Sequence, residues 1–367
     1  MSLTVLHAIP SLVGGGAERQ LSLLAPELSR LGVDTHVAYV HPGVNLAPLQ
    51  ASTVGLHAVT SGGNYDLRIL FKLIRLIHTL RPDVVQTWLP QMDILGGLAA
   101  ILTATPFVLS ERSSSLAYLG GWKNCLRRQI GLRAQVVVAN SQSGVEYWSS
   151  IYGVRHVIRN GLSLESIHVS EPESLLALGL PNDARLVLFA GRLSPEKNIH
   201  ALLDALDLVL DRHTDAVAVL FGEGPMHAEL LARVNTLTAR ARVRLGGFNT
   251  DLWRWMRRAS VFVSVSHFEG NPNSVLEAMA LGCPLVVSSI PQHLEILDET
   301  AAYFCDPRSP EDIARAIDDV LNAPSLAAER AVTAQHHANA WSIENTAQEY
   351  LKLYRELAFH PPFIKGN

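Results

Sequence analysis

The chain of 367 residues contains only three cysteines, Cys125, Cys283 and Cys305. They form no Cys-x-x-Cys pair and cannot build a disulfide framework, which points to a reducing cytoplasm. No Asn-x-Ser/Thr acceptor occurs, in keeping with that compartment. The opening stretch, MSLTVLHAIP, has neither a basic leading region nor a long apolar one, so no signal peptide is read there. Long hydrophobic runs are lacking as well. The longest uncharged stretch of interest, 94–110, carries Gly96, Gly97 and Pro106 and is bounded by Asp93 and Glu111. It reads as a helix followed by a buried strand rather than a membrane span. Cations are not in excess: the formal net charge is −4, which argues against broad, sequence-independent binding to nucleic acid. There is no Asp-x-Asp and no cluster with metal-ligand spacing, so neither a metal nor a cofactor is expected. Internal repeats and low-complexity tracts are absent.

What is present is a core-rich globular sequence, 48% apolar and 17% charged, long enough for a little more than two domains of about 150 residues. Short apolar runs alternate with amphipathic helical patterns. In the first half, strands are expected at 4–9, 33–40, 84–86, 107–110 and 136–139, with helices near 17–31, 65–80, 91–103 and 122–132. The rhythm restarts with strands at 185–190, 216–221, 242–245, 261–265 and 284–287. Helices there are expected near 196–211, 225–239, 250–258, 273–281 and 310–321. Solid apolar strands with helices between them imply parallel sheets covered on both faces. The stretch from Leu162 to Ala184 has no strong strand and marks the domain boundary. This gives an α/β chain of two doubly wound domains, 1–165 and 166–343. A last helix follows from about Ser342. Residues 1–165 carry a net charge of +4 and the remainder −8, so the halves are expected to meet different partners.

Four segments carry chemistry. Ile9 to Arg19 runs from a strand through Gly14, Gly15 and Gly16 into a helix. Such a turn lets bare N–H groups approach an anion, although a tight strand–helix turn needs the same glycines. Arg19 stands where a dinucleotide fingerprint requires its third glycine, and no P-loop motif is present. Gly191-Arg192-Leu193-Ser194-Pro195-Glu196-Lys197-Asn198 places two cations around a helix start. They suit a diphosphate, with a solvated charged turn as the plainer account. Gly222-Glu223-Gly224-Pro225 reads simply as a turn that starts a helix. The most specific segment runs from Ser266 to Pro284. Glu269 sits in a loop and Glu277 inside a helix, with Gly270, Asn271, Pro272 and Asn273 between them. A helix N-terminal acid matched to its dipole explains Glu277 but not the whole group. A buried carboxylate needs hydroxyl or N–H partners, which sugar and ribose would supply.

Taken in order, Gly-Gly-Ala-Glu, Gly-Arg-Leu-x-x-Glu-Lys-Asn, Gly-x-Gly-Pro and Glu-Gly-Asn-Pro-Asn-x-x-x-Glu-Ala-Met-Ala resemble the family-4 (group 1) glycosyltransferases with the GT-B fold. Asn140-Ser141, Arg159-Asn160-Gly161 and Trp341-Ser342 are lesser matches. The resemblance covers essentially the whole chain. It implies two Rossmann-like domains facing a deep interdomain cleft, with the C-terminal helix 344–367 packed back on the first domain. It also implies retaining, metal-independent transfer of a hexosyl group from a nucleotide-diphosphate sugar, UDP- or GDP-linked, to an acceptor hydroxyl. Carried over position by position, Arg192 and Lys197 hold the diphosphate beside Gly191, Asn273 and Ser274. Glu269 faces the donor sugar, Glu277 binds the ribose, and Glu295 lies near the nucleotide. Gly15 and Gly16 approach the phosphates from the other domain. Many relatives carry a histidine near the sugar's 6-position, where this chain has Glu111-Arg112-Ser113-Ser114. Arg112 is the positional substitute. His7 and His267 are read as structural.

In related enzymes the first domain receives the acceptor, a glycan that is often lipid-linked, in surface polysaccharide, lipopolysaccharide or glycolipid assembly. Arg68, Lys72, Arg75 and His78 form one stripe of an apolar helix. Tyr118, Trp122, Lys123, Arg127, Arg128 and Arg133 form a second basic and aromatic cluster. Both suit an anionic membrane surface, and both suit a helix whose solvent face is basic. A cytoplasmic location, peripheral on the inner face of the membrane, is the corresponding expectation. A nucleotide-sugar epimerase of the same fold and a non-catalytic sugar-nucleotide-binding protein stay open as alternatives.

Overall fold

A computed structural model describes residues 3–59, 63, 66–112, 121–149, 154–169 and 171–359. The chain divides into two compact units, one of Met1–Leu162 with Trp341–Asn367, the other of Ser163–Ala340. The first unit begins β1 (Thr4–Ser11), α1 (Gly16–Arg30), β2 (Asp34–His41), α2 (Leu46–Gln50), β3 (Gly55–Ala58) and α3 (Leu67–Leu80). It continues β4 (Val84–Trp88), α4 (Leu89–Leu102), β5 (Phe107–Glu111), α5 (Trp122–Gly131), β6 (Val136–Ala139), α6 (Gln142–Tyr147) and β7 (Val154–Val157). The second runs α7 (Leu164–His168), β8 (Arg185–Ala190), α8 (Ile199–Arg212), β9 (Ala216–Phe221), α9 (His227–Thr236), β10 (Val243–Gly247) and α10 (Leu252–Arg258). It ends with β11 (Val261–Ser264), α11 (Asn273–Ala280), β12 (Leu285–Ser288), α12 (Pro291–Leu294), β13 (Tyr303–Cys305), α13 (Pro310–Asn322) and α14 (Pro324–Ala338). Helix α15 (Ile343–Phe359) returns to the first unit.

Both sheets are parallel, in the orders β3-β2-β1-β4-β5-β6-β7 and β10-β9-β8-β11-β12-β13. Central strands such as β4, β5, β9 and β11 are buried at every position; β9 reads as an unbroken apolar run, while β4 and β5 also carry the buried polar residues Gln86, Thr87, Ser110 and Glu111. Three strands were not expected from the sequence: β3, β7 and β13. Each is three or four residues long and lies at a sheet edge; polar residues weaken the signal of β3 and β7, and β13 is only three residues long. Helix α14 was likewise unexpected. Its buried face is made of Ala327, Ala331, Ala334 and Ala338, too small to stand out as a hydrophobic stripe.

In the first unit α15 packs beside α1, adding Tyr350, Leu351, Leu353, Tyr354 and Leu357 to the core around β1 and β4. Gly161 permits this close approach, since a Cβ there would lie 2.6 Å from the Ile343 Cα. Arg127 departs from the reading of it as part of an exposed cluster. It is 1% exposed, because its guanidinium bridges two fully buried acids. Nε donates to Asp93 Oδ2 at 2.7 Å and Nη2 to Glu111 Oε2 at 2.9 Å. The Thr87 hydroxyl completes Asp93, and Trp148 Nε1 completes Glu111. Ser113, Ser114 and Tyr118 lie outside the described residues.

Helix α3 opens with Asp66 accepting from the Arg68 N–H and closes on Arg81 in the left-handed region. Its inner face is Ile69, Leu70, Leu73 and Ile77. Leu67 and Phe71 stand exposed among Arg68, Lys72, Arg75 and His78 on the outer face.

Candidate active site

The second sheet reverses its winding between β8 and β11, which are paired. Loops leaving the carboxyl ends of such neighbours flank a crevice, the usual ligand position in a doubly wound sheet. The cationic turn follows β8 and the acidic loop follows β11, so topology brings them together. Lys197 Nζ donates to both Glu269 oxygens, at 2.6 and 2.8 Å. The Ser266 hydroxyl donates to Glu269 Oε1 at 2.6 Å. The backbone is tied as well, with the His267 N–H donating to the Glu196 carbonyl at 2.9 Å. Burial pushes the Glu269 carboxyl up, but the Lys197 charge and the hydrogen bonds from Lys197 and Ser266 more than offset it. The net shift is downward, so Glu269 is an anion at neutral pH.

Asn198 aims the lysine. It adopts a left-handed conformation (φ 56°) at the start of α8, one that asparagine tolerates better than most residues. Its side-chain amide donates to the carbonyls of Val265 at 3.1 Å and Pro307 at 2.6 Å, anchoring the turn to the end of β11. Arg192 is exposed and, among the described residues, its side chain has no hydrogen-bond or charged partner.

The Gly-x-Gly-Pro turn does more than start a helix. Gly222 (φ 138°) lies so close to the first loop that a Cβ would fall 1.8 Å from the Gly191 carbonyl oxygen. A Cβ on Gly224 would fall 2.2 Å from the Leu193 carbonyl oxygen. Leu193 N–H donates to Glu223 O, and Met226 N–H donates to Leu193 O. These contacts brace 191–193 and hence Arg192. Gly222→Ala is expected to displace that loop and lower the melting temperature by several degrees, which calorimetry on the variant checks.

Glu277 is 5% exposed inside α11, with Asn273 and Ser274 at the helix start. Glu295 is partly exposed just after α12. No motif singled out His293, which is fully buried on α12. Its Nδ1 lies 2.9 Å from the Ser288 carbonyl. Burial lowers its basicity, with Lys197 acting the same way, while Glu269 and the Ser288 carbonyl oppose the shift. The ring is therefore neutral and backs the acidic loop.

Gly15, Gly16 and Arg112 belong to the first unit. Gly15 caps α1 and Gly16 is its first residue. The Glu18 carboxylate folds over this turn, so that a Cβ on Gly15 would fall 2.2 Å from its Oε2. Ser11 Oγ donates to its Oε1 at 2.8 Å. Arg112 stacks on Trp88, with 4.1 Å from its central carbon to the ring centroid. It donates to Asn160 Oδ1 at 3.1 Å and to the Tyr350 hydroxyl at 2.5 Å. His7 is buried beneath, accepting from Trp88 Nε1 at 3.2 Å, and burial with the Arg112 charge pushes it down to about 3. That neutral, enclosed ring has the structural character read from the sequence.

Two family profiles match in succession. Residues 14–166 match the profile described as Glycosyltransferase Family 4, and residues 170–337 match Glycosyl transferases group 1. The chain belongs to the group 1, family 4 glycosyltransferases. Among curated family members, an uncharacterized glycosyltransferase of Methanocaldococcus jannaschii is 32% identical over 225 residues. That match covers 58% of this chain but only 55% of the relative's length. A Campylobacter jejuni enzyme is 26% identical over 295 residues, 76% of this chain and 78% of its own. Its name is N-acetylgalactosamine-N,N'-diacetylbacillosaminyl-diphospho-undecaprenol 4-alpha-N-acetylgalactosaminyltransferase. Among solved structures, Anabaena HepE in complex with UDP and glucose superposes with a TM-score of 0.86 at 21% identity. The match covers 97% of this chain and 100% of that one. The GT-B fold of the family, with its two parallel Rossmann-like sheets, is thus present here.

Proposed function

We propose that the chain transfers a hexosyl group from a nucleotide-diphosphate sugar to an acceptor hydroxyl with retention of configuration. The process is surface polysaccharide, lipopolysaccharide or glycolipid assembly. The observation that carries this reading is the Lys197–Glu269 contact at the winding reversal of the second sheet. Arg192 and Lys197 hold the diphosphate and stabilise the negative charge that grows on it as the sugar–oxygen bond breaks. Gly191, Asn273 and Ser274 line the same end of the sheet, and Gly15 and Gly16 at the start of α1 are further donor-binding residues in this scheme. Glu269 accepts from donor-sugar hydroxyls and Glu277 from the ribose, with Glu295 near the nucleotide. No metal or other cofactor is needed in this scheme, because two side-chain cations carry the diphosphate charge. UDP is the first nucleotide to try, since the Anabaena neighbour holds it.

A thermal-shift panel of UDP-, GDP- and ADP-sugars tests the reading, because a ligand bound only by the native state raises the melting temperature. Stabilisation by one nucleotide class, followed by release of that nucleotide on adding acceptor, is expected. No shift with any of them sinks the reading.

The acceptor is proposed to be lipid-linked, as in the Campylobacter relative's name, and presented at an anionic inner membrane face. Among the described residues no helix is long and apolar enough to cross a membrane. The outer face of α3 supplies cations beside exposed Leu67 and Phe71, and Trp122 is exposed at the start of α5. Co-sedimentation with phosphatidylglycerol vesicles at low salt is expected, weakened at least threefold by the pair Lys72→Glu and Arg75→Glu. Equal pelleting of native and variant chains removes α3 from the account.

A further inference from the structure

Arg112 sits where β5 delivers its chain to the carboxyl edge of the first sheet, directly after Glu111. Alternation along the strand sends the two side chains opposite ways. Glu111 turns to Arg127 and Trp148, whereas Arg112 turns to Trp88, Asn160 and Tyr350. All three partners of Arg112 are uncharged. Among the described residues no carboxylate pairs with it. Its Nε is buried and makes no hydrogen bond, and the same holds for Nε2 of neighbouring His7. Because Trp88 Nε1 donates to His7 Nδ1, the His7 proton sits on Nε2, so both orphan groups are donors. The ring under the guanidinium belongs to the residue before Leu89, whose φ of 70° is strained for a bulky side chain.

A half-buried guanidinium in a neutral, aromatic surround is costly unless an anion completes it. Its planar fork matches carboxylate and phosphate geometry. The carboxyl edge of a doubly wound sheet is where ligands arrive. We propose that Arg112 is an anion-recognition residue, which takes a carboxylate or phosphate carried by one of the two substrates. Asn160 and Tyr350 set its plane and Trp88 supports its face. The inference rests on the transfer reading above and narrows it, because one substrate must be charged at the point that meets Arg112.

The test uses paired probes that differ in the anionic group. UDP-glucuronic acid is compared with UDP-glucose on the donor side. A prenyl-diphosphate-linked sugar is compared with the matching alkyl glycoside on the acceptor side. The native chain is expected to prefer the charged member of one pair by about a hundredfold in kcat/KM, and the responding pair identifies the source of the anion. Arg112→Gln brings that ratio close to one. Arg112→Lys, which keeps the charge but not the fork, retains part of it, which guards against a glutamine variant that folds poorly. A native ratio near one for both pairs overturns the proposal. So does an R112Q chain that is slower with both members but keeps the ratio, as a purely structural tie would produce. A native chain that neither binds UDP in calorimetry nor releases it from any probe overturns the transfer reading and this inference with it.

Discussion

Lys197→Ala is expected to lower transfer by about 10³-fold while leaving the chain folded. In the proposed mechanism the side chain supplies one of two cations for the departing diphosphate, and such preorganised charge is worth most where water is scarce. It also compensates Glu269, which is 8% exposed and otherwise keeps only the Ser266 hydroxyl. The variant therefore carries a second, separable cost of about 1–3 kcal/mol in stability, from an acid left without its counter-ion. Pairing Lys197→Ala with Glu269→Gln removes that acid. The double variant is expected to recover most of the melting temperature and none of the activity. Steady-state rates and thermal unfolding on the same preparations separate the two costs. A Lys197→Ala chain that keeps a rate within tenfold of native shows that the diphosphate is held elsewhere.

Arg127→Ala is expected to cost about 3–5 kcal/mol, and some 10 °C in melting temperature, without touching the transfer chemistry. It strips the one cation from between two buried carboxylates. Burial already pushes Asp93 up to about 6 in spite of Arg127. Because its native pKa lies above the unfolded value, Asp93 favours the native state fully only below that unfolded value. The contribution is lost as the pH rises through about 6. Without Arg127, Asp93 takes up a proton more readily. The deficit is therefore expected to be larger at pH 8 than at pH 5. Thermal unfolding of native and variant chains at the two values checks this, and a gap that ignores pH would show that the acids are not the cause.

The centre of each sheet was legible because strands covered on both faces are largely apolar, as in β6 and β9. The edges were not. His57 in β3 and His156 in β7 break the apolar runs, and an edge strand needs little apolar surface to pair. At the site, the spacing of Arg192, Lys197, Glu269 and Glu277 was visible, but the Lys197–Glu269 contact depends on β8 and β11 being neighbours, which no local pattern encodes. Asn198 did carry a readable signal, an asparagine between a short turn and a helix, where left-handed backbone is common. Arg127 misled because it stands among basic and aromatic neighbours in sequence while its partners, Asp93 and Glu111, come from other elements.

The return of α15 to the first unit has a consequence for synthesis. Residues 163–340 form one uninterrupted unit that can acquire its core as soon as it leaves the ribosome. The earlier-made lobe cannot, because Tyr350, Leu351 and Tyr354 emerge only after the whole later lobe. Until then its β1–β4 surface stays uncovered and open to chaperones. Trimming the chain just after residue 340 should therefore leave the second unit intact and the first prone to aggregate.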